Sequence, residues 1–111
     1  MAGVLTEEQL SNIINHYVSK LKQKINIEQI ILYGSYAKGN ANEWSDIDLY
    51  IVSNDLPENE LKGTNGFQLD CLVGKYDPRL EVLGINPSQL KSPIEKTFFE
   101  EVKINGKLIS F

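Results

Sequence analysis

The sequence predicts an α/β domain in which a small mixed sheet of three to five strands carries helices mainly on one face. Two nearly continuous apolar segments, residues 29–33 and 47–52, are typical of strands buried inside a sheet. Apolar residues at helical spacing between residues 10 and 21 predict a helix that covers this sheet. With 111 residues, the chain is expected to form one domain, residues 1–111.

The first helix is predicted to begin at Thr6 and to end near residue 24. Thr6 and Gln9 have the spacing of a capping box, in which each side chain accepts a hydrogen bond from the other residue's backbone N–H. Six apolar residues then recur every three or four positions and form one stripe: Leu10, Ile13, Ile14, Tyr17, Val18 and Leu21. This stripe is expected to pack on the sheet.

The first strand, residues 29–33, leads into Gly34-Ser35 and then one or two helical turns that end at Gly39. The second strand is predicted at residues 47–52. A third strand is predicted at residues 67–73, after a loop rich in glycine, asparagine and acidic residues. Residues 80–85 are ambiguous and fit either a loop or a short edge strand.

A second helix is predicted to begin at Ser92, with Pro93 in its first turn and Glu95 reaching back to the cap. Its apolar stripe consists of Ile94, Phe98, Phe99 and Val102. The helix is expected to end near Val102, and residues 107–111 are predicted to add a short final strand.

Asp46 and Asp48 stand at the head of the second strand. Side chains alternate across a strand, so residues at positions i and i+2 project from the same face. Two carboxylates beside an apolar core are costly unless a cation lies between them. Mg²⁺ prefers such oxygen ligands together with substrate phosphates and water. The pair therefore predicts a metal site, although an Asp-x-Asp motif can also be a solvated strand start.

Gly34 and Ser35 lie where the first strand ends. A glycine permits close approach of the backbone to a ligand, and the start of a helix attracts phosphate. These residues predict a phosphate-binding turn facing the acidic pair, whereas Gly-Ser alone is also an ordinary turn. Lys38, one turn later, fits either a triphosphate contact or a solvated lysine. Trp44 is expected to pack over a neighbouring element, with contact to a nucleobase as the alternative.

Charge and composition exclude several other classes. The net charge of −4 gives no broad electrostatic surface for nucleic acid. No apolar run reaches 18 residues, and the first residues lack the pattern of a signal peptide, so no membrane association is expected. Cys71 is the single cysteine, which excludes an internal disulfide and agrees with a cytoplasmic protein.

The string GSYAKGNANEWSDIDL, from Gly34 to Leu49, resembles the minimal nucleotidyltransferase branch of the DNA polymerase beta-like nucleotidyltransferase superfamily. The signature of this superfamily is a glycine-serine pair followed by the pattern Asp-apolar-Asp-apolar. In this chain, ten residues separate Ser35 from Asp46. Members usually have arginine where this chain has Lys38, so the charge is kept but the bidentate guanidinium is not. The resemblance covers most of the chain and implies the nucleotidyltransferase fold.

The resemblance also implies roles for three carboxylates. Asp46 and Asp48 would hold metal, and Asp70 matches a third carboxylate contributed by a neighbouring strand, as a metal ligand or a general base. Two Mg²⁺ ions are expected, and Mn²⁺ accepts the same ligands. The implied reaction moves a nucleoside monophosphate, AMP from ATP, to an acceptor hydroxyl.

The sequence does not identify the molecule that accepts the nucleotidyl group. Relatives that modify antibiotics carry an additional helical domain, for which this chain has no residues left. The resemblance instead implies a separate protein partner, such as a HEPN-type toxin that the smaller protein neutralises as antitoxin by adenylylating a tyrosine. The alternatives are a non-catalytic binding module and an adenylyltransferase that acts on a small molecule such as an antibiotic.

Overall fold

A computed structural model of the chain describes residues 4–56, 69, 74 and 77–111. In chain order, its elements are α1 (Glu7–Lys22), β1 (Gln29–Tyr33), α2 (Ser35–Lys38), β2 (Ile47–Val52), β3 (Leu80–Ile85), a 3-10 helix (Pro87–Lys91), α3 (Pro93–Asn105) and β4 (Lys107–Leu108). The predicted α/β class is confirmed. The bounds of β1 and β2 agree with those expected from the apolar segments.

The four strands form one mixed sheet in the order β3-β2-β1-β4. β1 pairs antiparallel with both β2 and β4, whereas β2 pairs parallel with β3. The two most apolar strands are therefore the interior ones, as the sequence predicts. The ambiguous segment 80–85 is a strand at the edge of this sheet.

One face of the sheet is covered by α1. The capping box is present: Thr6 Oγ1 accepts from the backbone N–H of Gln9 at 3.1 Å, and Gln9 Oε1 accepts from that of Thr6 at 2.9 Å. Tyr17 and Leu21 of the predicted stripe are fully buried against Ile30 and Leu49 of the sheet. Burial of this apolar stripe fixes α1 on the sheet.

The opposite face carries the acidic pair and is partly covered by α3. Phe98, Phe99 and Val102 pack against Ile31 and Tyr50. The prediction for the first turn of α3 was wrong at two places: Ile94 is 71% exposed, and the N-cap Ser92 makes no side-chain capping bond. Glu95, which was expected to reach back to the cap, is buried.

The predicted third strand, residues 67–73, lies outside the described residues except for Leu69. That residue has helical rather than extended backbone and is fully buried in the core beneath α1. Asp70 and Cys71 belong to the part that is not described. Within the described ranges, no helix combines the length and the apolar character needed to cross a bilayer.

Candidate functional site

Gly34 joins β1 to α2 in a conformation that other residues rarely adopt. Its φ is +75°, in the region that favours glycine, and it caps the four-residue helix α2. A Cβ at this position would overlap Oδ2 of Asp48, so the absence of a side chain is what lets the turn lie against that carboxylate. The close approach that the structure shows at Gly34 is to Asp48, and the approach of a ligand to this turn stays a prediction.

Asp48 is the second residue of β2 and lies opposite Tyr33 of β1. It is half-buried, whereas Asp46 just before the strand is exposed. Burial, followed by the charges of Asp46 and Glu81, raises the pKa of Asp48 from its ordinary 3.8 to about 6. The repulsion between Asp46 and Asp48 agrees with the expectation that their carboxylates project from one face of the chain. A cation bound there would relieve it.

Glu81 is a residue of this site that the sequence reasoning missed. Both edges of β2 are occupied, by β1 and by β3, and the β3 residue in register with Asp48 is Glu81. A hydrogen bond of 2.7 Å from the N–H of Ile47 to the carbonyl of Arg79 holds the start of β3 beside the acids. The signal was available, since Glu81 is the single acid in the otherwise apolar segment Leu80–Ile85.

The carboxylates fit a metal shared with a substrate. Among the described residues, no group of three Asp, Glu, His or Cys side chains is close enough to hold an ion by itself. Mg²⁺ is commonly held by one or two carboxylates plus substrate phosphates, and the half-buried Asp48 with the exposed Asp46 beside it suits that arrangement. Asp70, the third predicted ligand, lies outside the described residues.

Tyr33 and Lys38 flank the acids on the side of α3. Burial and the charges of Asp48 and Glu81 raise the pKa of Tyr33 to about 12, so its hydroxyl remains protonated and can donate a hydrogen bond. Lys38 is exposed at the end of α2. Both residues, with Gly34, line a cavity that also contacts α3. An anionic substrate bound at the acids through a metal would meet these two donors.

Trp44 lies in the loop between α2 and β2, two residues before Asp46. The expectation that it packs over a neighbouring element was wrong, because its side chain is 82% exposed. The loop itself is ordered by Asn42, whose Oδ1 accepts the N–H of Trp44 at 2.9 Å and whose N–H donates to Ser45 Oγ at 2.8 Å. These bonds order the backbone of the loop on both sides of Trp44.

The structure thus places a glycine turn against the carboxylate of Asp48, near the start of β2 in a mixed sheet. Residues 14–107 match the family described as nucleotidyltransferase domain. Because this match spans most of the 111 residues, the chain belongs to that family, and its enzyme class is nucleotidyltransferase.

Two relatives from archaea bear names that specify the transferred group. Protein adenylyltransferase MntA of Thermococcus cleftensis is 30% identical over 100 residues, which are 90% of this chain and 96% of that protein. MJ1305 of Methanocaldococcus jannaschii, provisionally named a protein adenylyltransferase, is 41% identical over 59 residues. That alignment covers 51% of this chain and 40% of MJ1305, so the chain spans less than half of the latter.

Solved structures share the fold. A crystal structure provisionally assigned as a nucleotidyltransferase from Sulfolobus solfataricus matches with a TM-score of 0.59 at 18% identity, over 91% of this chain and 79% of that one. A toxin-antitoxin structure with AMP-PNP matches with a TM-score of 0.52 at 22% identity, over 85% and 70% of the two chains. At these identities the likeness establishes the fold.

Proposed function

We propose that this chain is a metal-dependent adenylyltransferase that moves AMP from ATP to a hydroxyl of a partner protein and releases pyrophosphate. The observation that carries the proposal is the contact between the Gly34 turn and the carboxylate of Asp48, with Asp46 and Glu81 beside it. A phosphate bound at the turn lies next to the acidic pair. The MntA relative, which aligns over 96% of its length, supports a protein as acceptor.

Asp46 and Asp48 are the residues that would hold Mg²⁺, or Mn²⁺ in its place. When bound, the metal would neutralise phosphate charge and lower the pKa of the acceptor hydroxyl. Asp48 must lose its proton to bind a cation, and its pKa of about 6 makes it ionised at neutral pH. Binding is therefore expected to weaken as the pH falls below 6.

The phosphates of ATP would be held by the other half of the site. The first N–H groups of a helix lack partners within that helix, and at α2 they follow Gly34 beside the acids. Ser35 adds a hydroxyl and Lys38 a positive charge on the exposed side. Gly34, Ser35 and Lys38 thus bind and orient the triphosphate, which leaves its α-phosphorus toward the acidic pair.

A third carboxylate completes the proposed set, and two residues are candidates. Glu81 lies in register with Asp48 and acts on its pKa, which supports a role in metal binding or in accepting the hydroxyl proton. Asp70 remains a prediction from the family resemblance. If Glu81 fills the role, Glu81→Gln lowers transfer strongly and Asp70→Asn does not; the reverse result assigns the role to Asp70.

The acceptor we propose is a tyrosine hydroxyl on a HEPN-type toxin, with this chain as the cytoplasmic antitoxin. The family resemblance and the name of the MntA relative support a protein acceptor. A second candidate is a binding module without turnover, favoured by the lack of a three-carboxylate group within the described part of the chain. In that case, neutralisation of the partner would not depend on Asp46.

Calorimetric titration of ATP, with and without Mg²⁺, tests the nucleotide site without knowledge of the acceptor. The wild-type protein is expected to bind ATP only with the metal, because the acids repel the triphosphate until a cation joins them. The double variant Asp46→Asn, Asp48→Asn should lose the metal-dependent component. Failure of folded wild-type protein to bind ATP under either condition would contradict the proposed site.

A further inference from the structure

A cavity of about 200 Å³ opens beside the acidic pair, between the end of β1 and α3. Tyr33, Gly34 and Lys38 line it from the sheet side, and Phe98, Glu101 and Asn105 line it from α3. Because the Gly34 turn lies against Asp48, the cavity begins where the α-phosphate is proposed to bind. A group attached to that phosphate can reach it directly.

One wall of this cavity is formed by the aromatic ring of Phe98, which packs against two tyrosines. Phe98 contacts Tyr33 edge-on, with ring centroids 6.4 Å apart and planes at 85°, and it contacts Tyr50 at 5.6 Å. Phe98 is half-buried, so part of the ring faces the cavity. A ring fixed by two aromatic neighbours offers a flat apolar surface at little entropic cost. Such a surface suits a planar base.

The lining of the cavity carries charges of both signs. Lys38 supplies a cation near the phosphate-binding turn, whereas Glu101 supplies a carboxylate from α3. Asn105 lies one helical turn after Glu101, and its Nδ2 donates to the carbonyl of Glu101 at 3.2 Å. The amide Oδ1 and the carboxylate are both hydrogen-bond acceptors. A ligand that combines an anionic group with an amino group matches this lining.

We propose that this cavity binds the adenine ring of ATP, with the ring against Phe98 and the exocyclic amino group toward Glu101 and Asn105. The inference rests on the proposed adenylyl transfer and adds the residues that select the base. In the same orientation guanine presents O6, an acceptor, where adenine has this amino group, so guanine would have to rotate to offer the carboxylate its N1–H. The site is therefore expected to prefer ATP over GTP.

The test compares Mg·ATP, Mg·GTP and Mg·tripolyphosphate binding by calorimetry for the wild type, Phe98→Ala and Phe99→Ala. Phe98→Ala should weaken ATP at least about tenfold, since stacking of a base on an aromatic ring is lost, and should leave tripolyphosphate unchanged. Phe99 is the matched control, because it packs on Tyr50 at 5.9 Å but does not line the cavity. Its variant should keep the wild-type affinity for ATP.

Glu101→Lys provides a second variant at an exposed position, where folding is not at risk. It should reduce or reverse the preference for ATP over GTP, because a donor replaces the acceptor. Unchanged ATP affinity in folded Phe98→Ala, or an unchanged preference in Glu101→Lys, would overturn the inference. Loss of transfer to protein with full ATP affinity in Phe98→Ala would assign the cavity to the acceptor. Failure of the wild type to bind both ATP and tripolyphosphate would instead refute the proposed function.

Discussion

Asp48→Asn is expected to abolish nucleotidyl transfer and, at neutral pH, to make the protein more stable. Transfer should fall by more than about a hundredfold, since mutation of groups that merely support metal ligands costs about 10–100-fold. In the protein without metal, the change removes a half-buried charge repelled by Asp46 and Glu81. The melting temperature should rise by about 2–5 °C, a modest gain because solvent screens the partly exposed group.

The stability difference between Asp48→Asn and the wild type is expected to depend on pH. The pKa of Asp48 is raised in the folded protein, from 3.8 to about 6, so the folded state binds its proton more tightly than the unfolded state. This stabilisation is complete below pH 4 and is lost as the pH rises from about 4 to about 6. The variant should therefore match the wild type near pH 4 and exceed it above pH 6, in melts recorded without divalent metal.

Glu43→Gln is the control for this experiment. It removes one negative charge from an exposed position in the loop that precedes β2, and both stability and transfer are expected to stay at the wild-type level. If Asp48→Asn melts at a lower temperature than the wild type at pH 7.5, burial and the neighbouring charges do not destabilise ionised Asp48. Retained transfer in this variant would remove Asp48 from the catalytic site.

Gly34→Ala is expected to eliminate metal-dependent ATP binding. The added Cβ overlaps Oδ2 of Asp48, so either the carboxylate must rotate away or the turn into α2 must shift. Both changes separate the phosphate-binding turn from the acidic pair. We expect ATP affinity to fall more than about a hundredfold, comparable to the loss of one charge-assisted contact of about 3 kcal/mol.

Gly39→Ala is the control for this experiment, because it introduces backbone strain without a contact with Asp48. Gly39 also has a positive φ, +78°, but a Cβ there would meet no described atom within 4 Å. Alanine is strained at both positions: Gly39 has left-handed backbone (ψ 17°), and Gly34 has ψ −157°, in a region almost confined to glycine. Each variant is expected to lose about 1–3 kcal/mol of folding stability. Only Gly34→Ala should lose ATP binding. Equal ATP affinities of the two variants, measured by the same titration, would show that the contact between Gly34 and Asp48 does not contribute to ATP binding.

The local parts of the site could be predicted from the sequence because short-range signals determine them. The apolar run before Gly34 defines β1, the glycine allows the turn, and the alternation around Ile47 places Asp46 and Asp48 on one face. The capping box at Thr6 likewise defines the start of α1. Each of these features depends on residues within a few positions of one another.

The remaining parts depend on contacts between distant segments. The parallel pairing of β2 with β3 brings Glu81 beside Asp48 across more than thirty residues of sequence, and no local pattern specifies that register. The cavity exists only because α3 packs back on β1, which places Phe98 against Tyr33. Trp44 is exposed in a loop whose backbone is ordered by Asn42, whereas residue type alone favoured packing.

The central claim is tested most directly by intact-mass spectrometry of a partner protein that co-purifies with this chain, after incubation with ATP and Mg²⁺. We expect the partner to gain the mass of one AMP, on a tyrosine, with wild-type protein and not with Asp48→Asn or with the metal chelated. A partner that binds but stays unmodified, and is neutralised equally by wild type and Asp48→Asn, would contradict the enzyme and identify a binding module.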